Sequence, residues 1–363
     1  MAAITLDRLA HSYLPHPSAP SDYALKPLDI TWRDGGAYAL LGPSGCGKTT
    51  LLNIISGLVA PSEGRVLFDG TDVTRMPTEH RNIAQVFQFP VIYDTMTVAE
   101  NLAFPLKNRG LAKAEINARV HEIAEMLDLR GDLNRRAARL TADAKQKISL
   151  GRGLVRSDTA AILFDEPLTV IDPQLKWELR AQLKQLHQKV GRTMIYVTHD
   201  QTEAMTFADT VVVMYDGGVV QIGKPVDLFQ RPAHTFVGYF IGSPGMNVLP
   251  ATIEGRVAHI GSSSVFLADD YPTLPAGKIE IGVRPENIAL KTGAEGLPVR
   301  ITRVDDIGRI RIARTVFEDH EINVVLPEDT PIPTDPRAVP IADRVHVYAD
   351  GHIVDASPVR GHA

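Results

Sequence analysis

Gly42-Pro43-Ser44-Gly45-Cys46-Gly47-Lys48-Thr49-Thr50 has the spacing G-x-x-x-x-G-K-[ST] of a loop that cradles phosphate. Three glycines in six residues let backbone N–H groups turn inward around an anion, and Gly42, Gly45 and Gly47 are expected at positive φ. Lys48 reaches toward the β- and γ-phosphates in such a loop, and the Thr49 hydroxyl is placed for magnesium. The flanks agree, because Ala37-Tyr38-Ala39-Leu40-Leu41 is a short buried strand and the apolar run from Thr50 begins a helix. Phosphate would then sit at a helix N-terminus, where free N–H groups and the dipole favour negative charge.

The 363 residues exceed one small core and suggest two or three domains. Lys and Arg number 38 against 43 Asp and Glu, a net charge of −5 that argues against a nucleic-acid-coating surface. One cysteine, Cys46, excludes an internal disulfide framework and a Cys-based zinc cluster, so a reducing cytoplasm is expected. Within the loop it reads as a small residue rather than a redox sensor. The N-terminus lacks the basic start and apolar run of a secretory signal, and no segment approaches 18 apolar residues. Work at a membrane would therefore need a partner.

Residues 4–7 and 28–32 read as strands, separated by a Pro- and Ser-containing loop at 11–20. Tyr13 in this region either stacks on a nucleotide base or simply packs. Residues 64–70 form a hairpin strand entering an Asp-Gly turn. Residues 83–88 form another strand, with Gln88 at the C-terminal end, where ligands sit in open α/β sheets. From 98 to about 155 the pattern is helical, with Ile116, Val120, Ile123, Ala124 and Leu127 on one face of a helix at 114–129.

An apolar strand at 160–164 ends in Asp165-Glu166. Two carboxylates there are costly unless they face a cation or a reacting group. Beside a phosphate loop, Asp165 fits a water-linked magnesium ligand and Glu166 the base for an attacking water. A helix over 173–190 and a strand over 193–198 follow, the latter ending at His199, in reach of a γ-phosphate. A hairpin surrounds Asp216-Gly217-Gly218. After a break at 241–245, short strands at 252–259, 264–267, 279–283, 299–304, 309–317, 321–326 and 344–348 argue for a small β-barrel or sandwich with a binding or regulatory role.

The phosphate loop, Gln88, the helical insert, Asp165-Glu166, Asp172 and His199 occur in an order that resembles the ATP-binding-cassette (ABC) ATPases. The resemblance spans essentially the whole chain and implies an α/β P-loop NTPase, a mixed sheet plus helical subdomain (about 90–156) in a domain over 1–240. An all-β, oligonucleotide-binding-like regulatory domain over 241–363 would follow. Ile281-Gly282-Val283-Arg284-Pro285-Glu286 resembles the hallmark of that domain in bacterial sugar and polyol importers.

By resemblance, Tyr13 is the base-stacking aromatic, Gln88 a magnesium- and water-linked residue that couples to the membrane partner, and His199 the γ-phosphate switch. Asp172 corresponds to the aspartate of the loop joining two sites. ATP and Mg2+ are the expected ligands, with Thr49, Gln88 and Asp165 on the metal side. Two transmembrane permease subunits are implied, with a periplasmic binding protein acting indirectly and no nucleic acid, at the cytoplasmic face of the inner membrane. The cargo would be a small sugar or polyol such as glycerol. The alternatives are a nucleotide-binding regulatory subunit with little hydrolysis and a soluble, non-transport ABC ATPase.

One motif departs from the family. Its signature, Leu-Ser-Gly-Gly-Gln, aligns with Leu140-Thr141-Ala142-Asp143-Ala144. Thr141 keeps the hydroxyl, but Ala142 adds a Cβ where backbone should approach phosphate. Asp143 sets a carboxylate near it, a repulsion of about 3 to 4 kcal/mol at an effective dielectric near 20. In this family each ATP lies between one subunit's phosphate loop and the other's signature. The resemblance therefore implies a heterodimer, with a second and different ATPase supplying an intact signature.

Overall fold

The computed structural model describes residues 2–356. They divide into two units, Met1–Pro225 and Val226–Ala363. The last seven residues of the expected second domain, 357–363, lie outside the described residues.

In the first unit β1 (Ile4–His11) pairs antiparallel with β2 (Leu25–Trp32), ahead of β3 (Ala37–Leu41) and α1 (Lys48–Ser56). β4 (Glu63–Phe68) pairs with the other edge of β1 and with β5 (Thr71–Asp72). The turn between them, Asp69-Gly70, has both residues at positive φ (48° and 79°), the conformation that matches the twist of a tight hairpin. This four-stranded sheet is ordered β2-β1-β4-β5.

β6 (Ile83–Val86) precedes the helices α2 (Val98–Lys107), α3 (Lys113–Met126) and α4 (Ala142–Leu154). Thr97 and Glu100 cap α2 reciprocally through the side chain of one and the backbone N–H of the other. α3 ends at Met126 rather than near 129, although Leu127 and Leu129 remain buried. A Cβ at Gly151 of α4 would lie 2.5 Å from Leu102 of α2, so glycine permits the close approach of these helices.

β7 (Ala161–Asp165), α5 (Pro173–Val190), β8 (Thr193–Thr198), α6 (Gln201–Phe207), β9 (Thr210–Tyr215) and β10 (Gly218–Gly223) complete the unit. The second sheet is ordered β10-β9-β3-β8-β7-β6 and is parallel except at β10. Every residue of β3, β7 and β8 is buried, as befits strands covered on both faces. Leu40, Leu163, Ile195 and Val197 of this sheet share a core with Ile4, Leu6 and Leu9 of the first sheet and Leu51 and Ile54 of α1.

Register places the functional loops together. Leu41 pairs with Thr198, Asp165 with Val197 and Val86 with Phe164. The chain leaves β3, β6, β7 and β8 at one edge of the sheet, the carboxyl edge where α/β proteins bind ligands.

The second unit begins at Val226, within α7 (Pro225–Gln230), and continues with α8 (Thr235–Phe240). Residues 226–240, expected at the end of the first domain, thus cluster with the second. Arg284 supplies a physical reason. Its buried guanidinium donates to the carbonyls of Phe229 and Gly238, each at 3.0 Å, and of Ile241, and lies 4.2 Å from the Phe229 ring centroid.

Among the described residues twelve antiparallel strands follow: β11 (Asn247–Pro250), β12 (Thr252–Ile260), β13 (Ser263–Tyr271), β14 (Ile279–Val283), β15 (Ile288–Lys291), β16 (Leu297–Pro298), β17 (Arg300–Asp306), β18 (Ile310–Phe317), β19 (His320–Pro327), β20 (Arg337–Pro340), β21 (Val345–Ala349) and β22 (His352–Ile353). They form sheets ordered β11-β14-β21-β22, β12-β13, β15-β20-β16 and β17-β18-β19. Ile281, Val283, Val324 and Val347 lie in their common core.

Candidate functional site

The loop between β3 and α1 owes its shape to glycines with different tasks. Gly45 and Gly47 adopt positive φ (82° and 96°), and a Cβ on Gly47 would also lie 2.5 Å from Ala24 O. Gly42 departs from expectation, since it is absent from the positive-φ residues. Its requirement is space, because a Cβ there would lie 2.2 Å from the carbonyl of Met214 in β9. Ser44, Gly45 and Thr49 are exposed, while Cys46 is buried and Pro43 and Thr50 are half-buried. Burial pushes the Cys46 thiol up, which keeps it protonated and unreactive.

Lys48 is 5% exposed, and its Nζ donates to the carbonyls of Gly42 and Pro43, each at 2.8 Å. Among the described residues this buried ammonium makes no ion pair, and the first N–H groups of α1 have no partner inside their helix. Both observations fit bound phosphate.

Across the sheet, Asp165 ends β7 and accepts a hydrogen bond from Thr49 Oγ1 at 3.0 Å. Burial pushes the Asp165 carboxyl above the usual carboxylate range, opposed by the Thr49 bond; the Glu166 charge adds to the rise and Lys48 opposes it. One hydroxyl and one carboxylate are hard oxygen donors, a fit for Mg2+ that takes its remaining ligands from phosphate and water.

Glu166 has φ +45°, a left-handed conformation that is costly for a residue with a Cβ. Its N–H donates to Val197 O in β8 at 3.0 Å. Its Oε2 lies 3.1 Å from His199 Nδ1 and accepts from Thr169 Oγ1 at 3.3 Å. The His199 side chain, 51% exposed, leaves β8 at the same edge. Sequence reasoning misses Thr169, whose signal is its place three residues after Glu166.

Tyr13 is 64% exposed, with its hydroxyl 3.1 Å from Thr50 Oγ1 and its ring edge-on to His11 at 4.6 Å. It therefore stands beside the phosphate loop rather than in the core. Gln88 lies two residues past the end of β6 and is half-buried.

Thr141 caps α4, its hydroxyl accepting from Ala144 N at 3.3 Å, and Ala142 and Asp143 form the first turn. Asp172 caps α5 by accepting from Gln174 N at 2.9 Å. Among the described residues, Thr141–Ala144 share no hydrogen bond with the phosphate loop of the same chain. The structure thus gathers Lys48, Thr49, Asp165, Glu166 and His199 at one edge and leaves Thr141–Ala144 apart from them.

Residues 25–169 match the family model described as ABC transporter. The "sn-glycerol-3-phosphate import ATP-binding protein UgpC" of Escherichia coli (strain K12) is 40% identical over 306 residues, 83% of this chain and 86% of that protein. The protein of the same name in Salmonella choleraesuis (strain SC-B67) matches to the same extent. Two solved structures are similar as well. CbiO1 from Clostridium perfringens, part of the ABC transporter complex cbiONQ, superposes with a TM-score of 0.57 at 26% identity, covering 63% of this chain and 90% of that one. The ATP-binding cassette MJ0796, a dimer in a post-hydrolysis state bound to ADP and Pi, gives 0.55 at 28%, covering 61% and 98%. By its similarity across most of its length, and by the phosphate loop and carboxylates gathered at one sheet edge, this chain belongs to the ABC transporter family as an ATPase.

Proposed function

We propose that this chain hydrolyses ATP to drive an importer of a small sugar or polyol, working at the cytoplasmic face of the inner membrane on two permease subunits. The observation that carries the hydrolytic reading is the 3.1 Å contact of His199 Nδ1 with Glu166 Oε2 at the edge that bears Lys48 and Asp165. The import reading and the glycerol-related cargo rest on the similarity to relatives named for sn-glycerol-3-phosphate import. The β-rich second unit would be the regulatory domain.

Roles follow from placement. Tyr13 offers an exposed ring to the base beside the loop that holds the phosphates. Lys48, with the loop N–H groups, neutralises phosphate charge. Thr49 and Asp165, with Gln88, would hold Mg2+, which when bound supplies Lewis-acid polarisation of the phosphoryl oxygens. Glu166 accepts the proton of the attacking water. His199, anchored through Nδ1, turns Nε2 away from Glu166 toward the γ-phosphate.

The altered signature extends the reading. Ala142 and Asp143 lie in the first turn of α4, where the family's two glycines would let backbone approach phosphate. On this reading the chain pairs with a different ATPase and uses that partner's signature, with Asp172 at the junction between the two sites.

The test of hydrolysis is ATP turnover by Glu166→Gln in the chain assembled with its permease subunits and the partner ATPase. Turnover is expected to fall by ~10²-fold or more, as for removal of a general base, with ATP binding retained. Unchanged turnover would sink the role of Glu166. Low turnover in wild type and variant alike would favour a regulatory subunit, the reading that the signature change supports.

A further inference from the structure

Helix α4, which bears the altered signature in its first turn, is fastened to the segment after β6. Lys145 Nζ lies 3.0 Å from Asp94 Oδ1, Ser149 Oγ accepts from Val91 N at 3.3 Å, and Arg152 donates to Val91 O at 2.6 Å. The Arg152 guanidinium also lies 4.7 Å from the Tyr93 ring centroid. Residues 145, 149 and 152 follow the i, i+4, i+7 spacing of one helix face, so this side of α4 grips the loop along its length.

Gln146 points inward instead. It is 0% exposed, and its Nε2 donates to Pro167 O at 2.6 Å, with a longer contact to Phe87 O at 3.5 Å. Both neighbours are carbonyl oxygens, so the amide must turn its NH2 toward them. Its Oε1 is buried without a hydrogen-bond partner. One side chain thus joins the signature helix, the residue before Gln88 and the residue after Glu166.

Pro167 follows the left-handed Glu166, and such a conformation persists only where its surroundings hold it. On one side Glu166 N–H is bonded to Val197 O, and the Glu166 carbonyl accepts from Thr169 N at 3.3 Å. On the other side Pro167 has no N–H, so its carbonyl is the one backbone group there that can be tethered. Gln146 is the tether.

We propose that Gln146 is a positioning residue for hydrolysis. Its carboxamide fixes the Pro167 carbonyl, which holds the Glu166 carboxylate in place and ties it to the helix that presents the signature to the opposite nucleotide. The proposal rests on Glu166 being the base. It makes the geometry of this chain's own catalytic carboxylate depend on the position of α4, so movement of the signature helix is felt at both sites.

The test uses the full chain assembled with its permease subunits and the different ATPase proposed to supply the intact signature. Gln146→Met keeps length and apolar bulk but removes the donor. Turnover at saturating ATP is expected to fall ~10-fold or more, since a displacement near 1 Å can cost up to ~10²-fold, with ATP affinity within about twofold of wild type. Gln146→Glu adds a readout that packing alone would not move. Burial raises the pKa of the new carboxyl, and its protonated form can donate one O–H to Pro167 O. Turnover is therefore expected to survive at low pH and to fall as pH rises, through an alkaline limb that wild type lacks.

Wild-type turnover in Gln146→Met, or a Gln146→Glu profile shaped like wild type, would overturn the proposal and leave Gln146 a packing residue. If the Met variant fails to fold, the Glu profile decides. Glu166→Gln measured in parallel separates the two claims. Loss of activity there with wild-type behaviour at 146 refutes only the tether, and full activity in Glu166→Gln refutes the base.

Discussion

His199 Nδ1 lies 3.1 Å from Glu166 Oε2, and Thr169 Oγ1 donates to the same oxygen at 3.3 Å. The carboxylate is held from two sides by groups on two different segments, and the imidazole is oriented by the same contact. His199→Ala removes both the contact with Glu166 and the imidazole itself. Its turnover is expected to fall by ~10²-fold, with His199→Gln recovering part of the loss. Turnover measured at saturating ATP checks this, and an Ala variant at the wild-type rate would remove His199 from the reaction.

Tyr13 gives a prediction about binding rather than rate. Stacking of a base on an aromatic ring contributes about 1 to 3 kcal/mol, so Tyr13→Ala is expected to weaken ATP binding by ~5- to ~150-fold. Tyr13→Phe keeps the ring and loses only the hydroxyl contact with Thr50 at 3.1 Å. Its dissociation constant, read by fluorescence titration with a labelled ATP, should stay close to wild type. Equal weakening in Phe and Ala would show that the hydroxyl, not the ring, matters.

Asp165 couples function to stability. Burial raises its folded-state pKa, so the protonated acid is the form that folding favours. The sign follows: stability from this group is present below the unfolded carboxylate pKa and is lost as pH rises through the higher folded value. Without nucleotide, Asp165→Asn is expected to have a higher Tm than wild type near neutral pH. That advantage should shrink toward pH 4, while Mg-ATP hydrolysis is lost. Thermal melts across pH check it, and a lower Tm for the variant at neutral pH would count against the cost of ionised Asp165.

Much of the fold was legible because its signals are local. Ala37–Leu41, Pro173–Val190 and Thr193–Thr198 lie where apolar runs and caps put them. Short pieces were not: α6 is seven residues long and announced only by its Asp200 cap, and β16 and β22 are two-residue strands defined by their partners. Arg284 shows the same limit. Its motif could be matched by resemblance, but its physical task, holding the carbonyls of residues 229, 238 and 241, is set by tertiary packing. At the site, the spacing of the loop announced Lys48 and Thr49, and the paired carboxylates announced Asp165 and Glu166. The left-handed backbone of Glu166 and the reach of Gln146 depend on contacts between segments far apart in sequence, which no local pattern carries.

The signature is where the proposed pairing is most exposed to refutation. In a dimer of this chain alone, each phosphate loop would face Ala142 and Asp143 of its copy, with a repulsion of about 3 to 4 kcal/mol against the γ-phosphate. The decisive measurement is ATP turnover of the purified chain without any second ATPase, compared with Ala142→Gly/Asp143→Gly. Two glycines in the first turn cost about 1 kcal/mol each in helix propensity, so folding is verified by thermal melt. Wild type is expected to turn over slowly and the double variant at least ~10-fold faster, consistent with relief of a repulsion of that size. Robust turnover by the wild-type chain alone, equal to that of the double variant, would contradict the need for a different partner.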